Sequence, residues 1–366
     1  MTTVTEVAEE AKEIMQPFIG CDAHKKYSIF SSVSETGRIG RAVRVSHDRE
    51  TFRQHLGQLP AGSPLAVESS GHWYGLVDEI ERAGHEPHLV NAGEAKRRMG
   101  KPNKTDKLDA EGLAILLRKG TLPEVWIPPI VLRDQREMLP LRRFLVALPT
   151  DIKNRIHGAL GRYNLQIGVT DLFGVEGRQQ LQQRMGELLV ETRERVKQQL
   201  TTHDFLEWQI EDVEKRLQQL MKAVPGADLL RTLPPVGLIL SAVLALEIGD
   251  VSRFPSAEHL ASYAGLVPGV TSSGGKTSMG QVGGNVNRML KWALVEAANL
   301  GVLQQRRLAH THAFRLYQRI HTRKNHQKAV VAVARHFAEA AYWVLRKQEA
   351  YREPKSRSLS VSSTHG

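Results

Sequence analysis

Two short apolar runs, "FIGCD" (residues 18–22) and "PLAVE" (residues 64–68), each end on a carboxylate. Runs of this length and composition read as core strands. A carboxylate on such a strand costs free energy unless it is paired or binds a cation, which singles out Asp22 and Glu68. A second pair of acids lies in "KPNKTDKLDAEG" (residues 101–112). Thr105 can cap a helix that starts at Asp106 and ends at Lys119, with Gly120 in the C′ position. Asp106, Asp109, Leu113 and Leu116 then follow 3-4-3 spacing, so both carboxylates extend the buried stripe of that helix. Acids in a first turn also complement the helix dipole, and a lone pair would need no further account. Four acids from two strands and a helix can instead converge on a pair of divalent ions. Hard oxygen ligands favour Mg²⁺ or Mn²⁺.

The periodicity changes twice along the 366 residues. After a flexible N-terminus (1–16), strands and helices alternate from Phe18 to about Trp126, which predicts an α/β domain over 17–128. Strands vanish over 129–224, where Leu206, Ile210, Val213, Leu217 and Leu220 repeat as a coiled-coil seam does; the seam is expected to join at least two protomers. Pro140 and Pro149 are expected to kink or break the helix they interrupt. Residues 225–348 read as mostly helical. Within them "TLPPVGLILSAVLALEIG" looks like a helix-hairpin-helix whose turn offers backbone N–H groups to a phosphate, or an ordinary buried helix pair. The tail, 349–366, is expected to be disordered. The most apolar run, Val236 to Ile248, is too short to span a bilayer. The lone Cys21 excludes an internal disulfide and a thiolate zinc cage, and the acidic "EVAEEAKEI" is unlike a signal peptide, so the cytoplasm is the expected compartment.

A net charge of +11 points to a polyanionic partner, nucleic acid before an anionic membrane. Lys96, Arg97, Arg98, Lys101, Lys104 and Lys107 surround the second acidic pair and would let a phosphate backbone approach it; a solvated basic loop is the plainer alternative. From Ala297 to Ala338 there is no acid, while Arg306, Arg307, Arg315, Arg319, Arg323, Lys324, Lys328 and Arg335 are interleaved with histidines. This run predicts phosphate contacts. His310, His312, His321 and His326 lack the spacing of a zinc site. Phe314, Tyr317, Trp73, Trp126 and Trp292 read as packing residues. In "TSSGGKTSMGQVGGN" the glycines let the main chain approach a phosphate and leave a serine hydroxyl exposed, with Lys276 supplying charge, although such segments are also ordinary flexible loops.

The order "GCDAHK", "VESSG" and "NKTDKLDA" resembles the RuvC-like, RNase-H-fold domain of transposases of the one-ten family of bacterial insertion sequences. The resemblance runs on through "TLPPVGLILSAVLALEIGDVSRFPSAEHLASYAGLVPG", "SSGGK" and "NRMLKWALVEAA". It implies that Asp22, Glu68, Asp106 and Asp109 bind metal and that Ser273 is the nucleophile, with Ser272 its immediate competitor. It also implies a bridge RNA as guide, DNA as donor and target, and a homo-oligomer, dimer or tetramer. Around Val282, Gly283 and Gly284 the chain lacks the basic residue the family often carries. Two other readings remain open: a Holliday-junction resolvase with the same acids and water as nucleophile, and a non-catalytic DNA-binding protein.

Overall fold

The computed structural model describes residues 16–100, 105–268, the backbones of the strands at 270–273 and 276–279, and 286–354. Lys101, Lys104, Gly274, the 282–284 stretch and the chain ends at 1–15 and 355–366 lie outside the described residues. The chain divides into two compact units, Met1–Ile130 and Val131–Gly366.

The first unit runs β1 (Phe18–Ala23), β2 (Tyr27–Val33), β3 (Val43–Ser46), α1 (Arg49–Gly57), β4 (Pro64–Glu68), α2 (Trp73–Arg82), β5 (Glu86–Val90), α3 (Ala92–Met99) and α4 (Asp106–Arg118). Its sheet has the order β3-β2-β1-β4-β5. β1, β2 and β3 pair antiparallel, and β1, β4 and β5 pair parallel. Successive strand residues alternate between faces. Ile19, Cys21 and Ala23 therefore join Leu65, Val67, Phe52, Leu56, Leu76 and Ile80 in one core layer. Phe18 and Ala66 belong to the other layer, with Leu113, Leu116 and Leu117 of α4. Asp22 and Glu68 share the parity of that second layer. Cys21 is fully buried and its thiol is pushed up to about 12 by that burial, so it is no nucleophile.

The second unit contains α5 (Ile130–Arg136, whose first residue closes the first unit), α6 (Met138–Arg162), α7 (Val175–Arg184), α8 (Val190–Met221), α9 (Ala227–Leu230), α10 (Leu238–Ile248), α11 (Ala257–Tyr263), β6 (Val270–Ser273), β7 (Lys276–Met279), α12 (Arg288–Leu303), α13 (Gln305–Leu308), α14 (His312–His321) and α15 (His326–Lys347). α10 is apolar on nearly every side, Ser241 and Glu247 apart, as its place at the centre of the largest core requires. The expected helix-hairpin-helix has a first member of one turn only, α9, before the turn at Leu233–Gly237.

Three expectations need correction. The 206–220 seam is covered by α6 of the same chain: Leu206, Val213 and Leu217 are buried, and Ile210 and Leu220 half-buried, in the core that holds Leu139, Leu145, Leu148 and Ile152. The middle region thus shares its main core with residues 227–345, and the seam gives no argument for a dimer. α6 is not broken at its prolines. Pro140 is its third residue, where the missing N–H has no intrahelical acceptor, and Pro149 is buried, so packing offsets the lost hydrogen bond. The tail is anchored as far as Glu353: Tyr351 packs on the core and its N–H donates to Thr232 Oγ1 at 2.8 Å, while Glu353 accepts from the His312 N–H at 2.8 Å.

A buried charge in the seam should unfold rather than dissociate the protein. Val213→Asp is expected to lower the stability of the second unit by about 3–5 kcal/mol. Urea unfolding at a lower midpoint, with the folded fraction unchanged in mass by light scattering, is the expected result; a halved mass at unchanged stability would restore the intermolecular seam. Among the described residues no helix is long and apolar enough to cross a membrane.

Candidate metal centre

The site is assembled by one close approach. A Cβ on Gly20 would lie 2.0 Å from the Ala110 carbonyl oxygen and 2.7 Å from the Ala114 nitrogen, so α4 rests directly on β1 because residue 20 has no side chain. The helix starts as the sequence predicts, with the Thr105 hydroxyl accepting from the Leu108 N–H at 3.3 Å, and ends on Gly120 at φ +62°. Its first turn carries Asp106 and Asp109. β1 and β4 run parallel with Cys21 opposite Val67, and one further step of that register sets Asp22 beside Glu68. Gly20→Ala should therefore destabilise the first unit by about 1–3 kcal/mol and move α4, with Asp106 and Asp109, away from Asp22. Urea unfolding and a Mg²⁺ titration check this; wild-type values in both would mean that α4 yields without cost.

Asp22 is buried, and its carboxyl is pushed up to about 6. Burial is the main cause; His24 opposes it, while the charges of Glu68, Asp109 and Asp106 each add to it. The charges of the other three predicted acids thus all reach Asp22. Like charges gathered in this way form a ready environment for a divalent cation, and the donor set of hard oxygens fits one. The side-chain donors of Asp22, His24 and Asp106 lie within 4.8 Å of one another.

His24 and Tyr27, to which the sequence assigns no role, are the site's additional residues. A tight β1–β2 turn, closed by His24 N–H donating to the Tyr27 carbonyl at 2.9 Å, stacks the two rings at 4.6 Å. His24 Nε2 lies 3.2 Å from Asp22 Oδ2 and 3.1 Å from Asp106 Oδ2. The Tyr27 hydroxyl donates to Asp106 Oδ2 at 3.2 Å. The signal in sequence was the placement of both residues just past a strand that ends on an acid, but only the hairpin register shows which groups they reach.

The described basic neighbours are largely engaged with acids. Lys96 Nζ lies 3.5 Å from Glu68 Oε1, and Lys107 Nζ lies 3.7 Å from Glu111 Oε1. Arg97 and Arg98 both pair with Glu94, and Arg98 also donates to the Thr121 carbonyl at 2.7 Å. In the second unit Arg306, Arg307, Arg315, Arg319, Arg323, Lys324 and Lys328 are all exposed and make no ion pair among the described residues, whereas Arg335 pairs with Glu339 at 2.8 Å. Phe314 is buried beneath this surface and Tyr317 is half-buried, as predicted. His310, His312, His321 and His326 enter no metal-binding group among the described residues. Ser273 ends β6, opposite Lys276 of β7, and Ser272 pairs with Thr277 one step inside.

Along much of its length the chain is similar to known transposases. Residues 19–165 match the DEDD transposase family of IS110 elements, described as "Transposase", and residues 227–314 match the "Transposase IS116/IS110/IS902 family". The chain is 24% identical to the transposase for insertion sequence element IS1111A of Coxiella burnetii over 91% of each chain. It is 26% identical to the transposase for insertion sequence element IS1328 of Yersinia enterocolitica over 68% of this chain and 74% of that one. It is 33% identical to an insertion element IS110 protein of Streptomyces coelicolor over 38% of this chain and 33% of that one. With acids on two strands and a helix inside the first match, and the serine hairpin inside the second, the chain belongs to the IS110/IS116 family of insertion-sequence transposases.

Proposed function

We propose that this transposase cuts and rejoins DNA by metal-assisted transesterification at a serine, with Asp22, Glu68, Asp106 and Asp109 as the metal-binding acids and Ser273 as the nucleophile. The observation that carries the reading is Asp22, raised first by its burial and further by the charges of Glu68, Asp109 and Asp106, a charge cluster that a divalent cation would neutralise. The strand order and senses of the first sheet accord with an RNase-H-like, RuvC-like domain. Bound Mg²⁺ or Mn²⁺ would supply a Lewis acid toward the phosphate and lower the pKa of the attacking hydroxyl. The chain's own residues do the rest. The Ser273 oxygen forms a bond to phosphorus as the bond from phosphorus to a deoxyribose oxygen breaks; the serine proton passes to water, and the leaving oxygen takes one up. One ester replaces another, so bond energy is kept for rejoining. Chelation with EDTA should stop strand transfer and Mg²⁺ or Mn²⁺ should restore it. Transfer that persists in EDTA would overturn the reading.

The basic surface of 306–328, exposed and without ion pairs among the described residues, supports contacts with DNA and a guide (bridge) RNA; the dimer or tetramer rests on the family resemblance alone. Arg315 and Arg319 stand four residues apart on the exposed side of α14, while Ala313 and Phe314 fill its buried side. Affinity for RNA or DNA is expected to fall steeply with salt, and Arg319→Gln with Arg323→Gln should reduce the log–log slope by about 2. A salt-independent affinity would count against the proposal, and protein that purifies without RNA yet selects its DNA site unaided would remove the guide.

A further inference from the structure

We propose that His24 is a nitrogen ligand of the cation held by Asp22 and Asp106, and that this centre therefore favours metal ions that accept imidazole over Mg²⁺. The inference rests on the metal-site reading above and adds a residue and a selectivity to it. His24 Nε2 stands 3.2 Å from Asp22 Oδ2 and 3.1 Å from Asp106 Oδ2. Adjacent ligands on an octahedral cation with bonds of about 2.1 Å are separated by about 3 Å, so these spacings are those of atoms sharing one ion. Nε2 is buried, yet the geometry at either carboxylate makes no hydrogen bond. A nitrogen that close to two oxygens and aligned on neither is oriented toward a point between them.

The ring is held there. Tyr27 stacks on it at 4.6 Å, Tyr27 is tied to Asp106 Oδ2 through its hydroxyl, and the Arg44 guanidinium lies 3.8 Å from the Tyr27 ring centroid. Preorganisation of this kind is what a ligand requires of its surroundings. An all-oxygen set suits Mg²⁺, whereas a mixed nitrogen and oxygen set raises affinity along the transition series, of which Mn²⁺ is the weakest binder and so the most stringent probe.

The alternative is a charged imidazole that bridges the two acids as an ion pair and leaves when a cation enters. Pulsed electron paramagnetic resonance of the full chain with MnCl₂ separates the two. A nitrogen coupling is expected in wild type and in His47→Gln, the nearby histidine bonded to Ser28, and is expected to vanish in His24→Gln and in His24→Asn, the second variant guarding against misfolding of the first. By competitive thermal shift with MgCl₂, the preference for Mn²⁺ should fall roughly tenfold in His24→Gln. Bound Mn²⁺ without nitrogen coupling in wild type, or a coupling that survives in both His24 variants, overturns the ligand role while leaving the carboxylate site intact. Failure of wild type to bind either ion, with Asp22→Asn indistinguishable from it, overturns the metal reading itself.

Discussion

Asp22→Asn protein is expected to fold normally and to lose DNA strand transfer by about a thousandfold or more. The two effects have one cause. In metal-free protein the Asp22 carboxyl is held high by burial and by the charges of Glu68, Asp109 and Asp106, which outweigh the opposing pull of His24, so an isosteric amide removes more cost than favourable contact. Its melting temperature in chelator should equal or exceed that of wild type. The rise in melting temperature that Mg²⁺ or Mn²⁺ produces in wild type should disappear, because the remaining acids no longer enclose the cation. Glu68→Gln, Asp106→Asn and Asp109→Asn should behave alike in activity. Strand-transfer assays beside thermal melts with and without metal measure both quantities, and an active Asp22→Asn protein with an undiminished metal shift would mean that the acids are structural.

Wild-type protein given a suicide DNA substrate should form a covalent adduct that survives denaturation, and Ser273→Ala should form none. A recombinase must conserve phosphodiester energy while strands change partners, which a protein–DNA ester does and hydrolysis does not. Ser272→Ala should retain the adduct, since its position lies one strand step inside the hairpin, paired with Thr277, while Ser273 closes the strand opposite Lys276. Peptide mapping that finds DNA on Ser272 would move the nucleophile by one residue. Free nicked ends from Ser273→Ala, with no adduct in wild type, would favour the resolvase reading, in which water attacks. No cutting at all with Mg²⁺ would favour a non-catalytic DNA-binding protein.

Much of the first unit is legible from local pattern. β4 spans the "PLAVE" of the sequence reading, Asp48 caps α1, Thr105 caps α4 and Gly120 ends it. These features depend on near neighbours: a capping oxygen finds an N–H three residues on, and strand parity alternates by one. The acids could be named because a carboxylate on an apolar strand is costly wherever the strand goes. Local pattern misleads at the 206–220 seam. A heptad pattern says that a face must be covered, not by which helix, and α6, more than forty residues upstream of Leu206, is what covers it.

What the sequence by itself determined, then, is the strands that carry Asp22 and Glu68, the capped helix that carries Asp106 and Asp109, and the basic run of 306–328, each from composition and period within a short window; it left α3 and the β6–β7 hairpin unread. Only the tertiary structure decided that Gly20 lets α4 lie against β1, that Tyr27 and His24 reach Asp106 across about eighty residues of chain, and that Arg97 and Arg98 are taken up by Glu94. Those outcomes turn on distances between groups remote in sequence, which are set by strand register and by how closely two backbones approach. No local propensity encodes either quantity, because each is fixed only when the whole core closes around it.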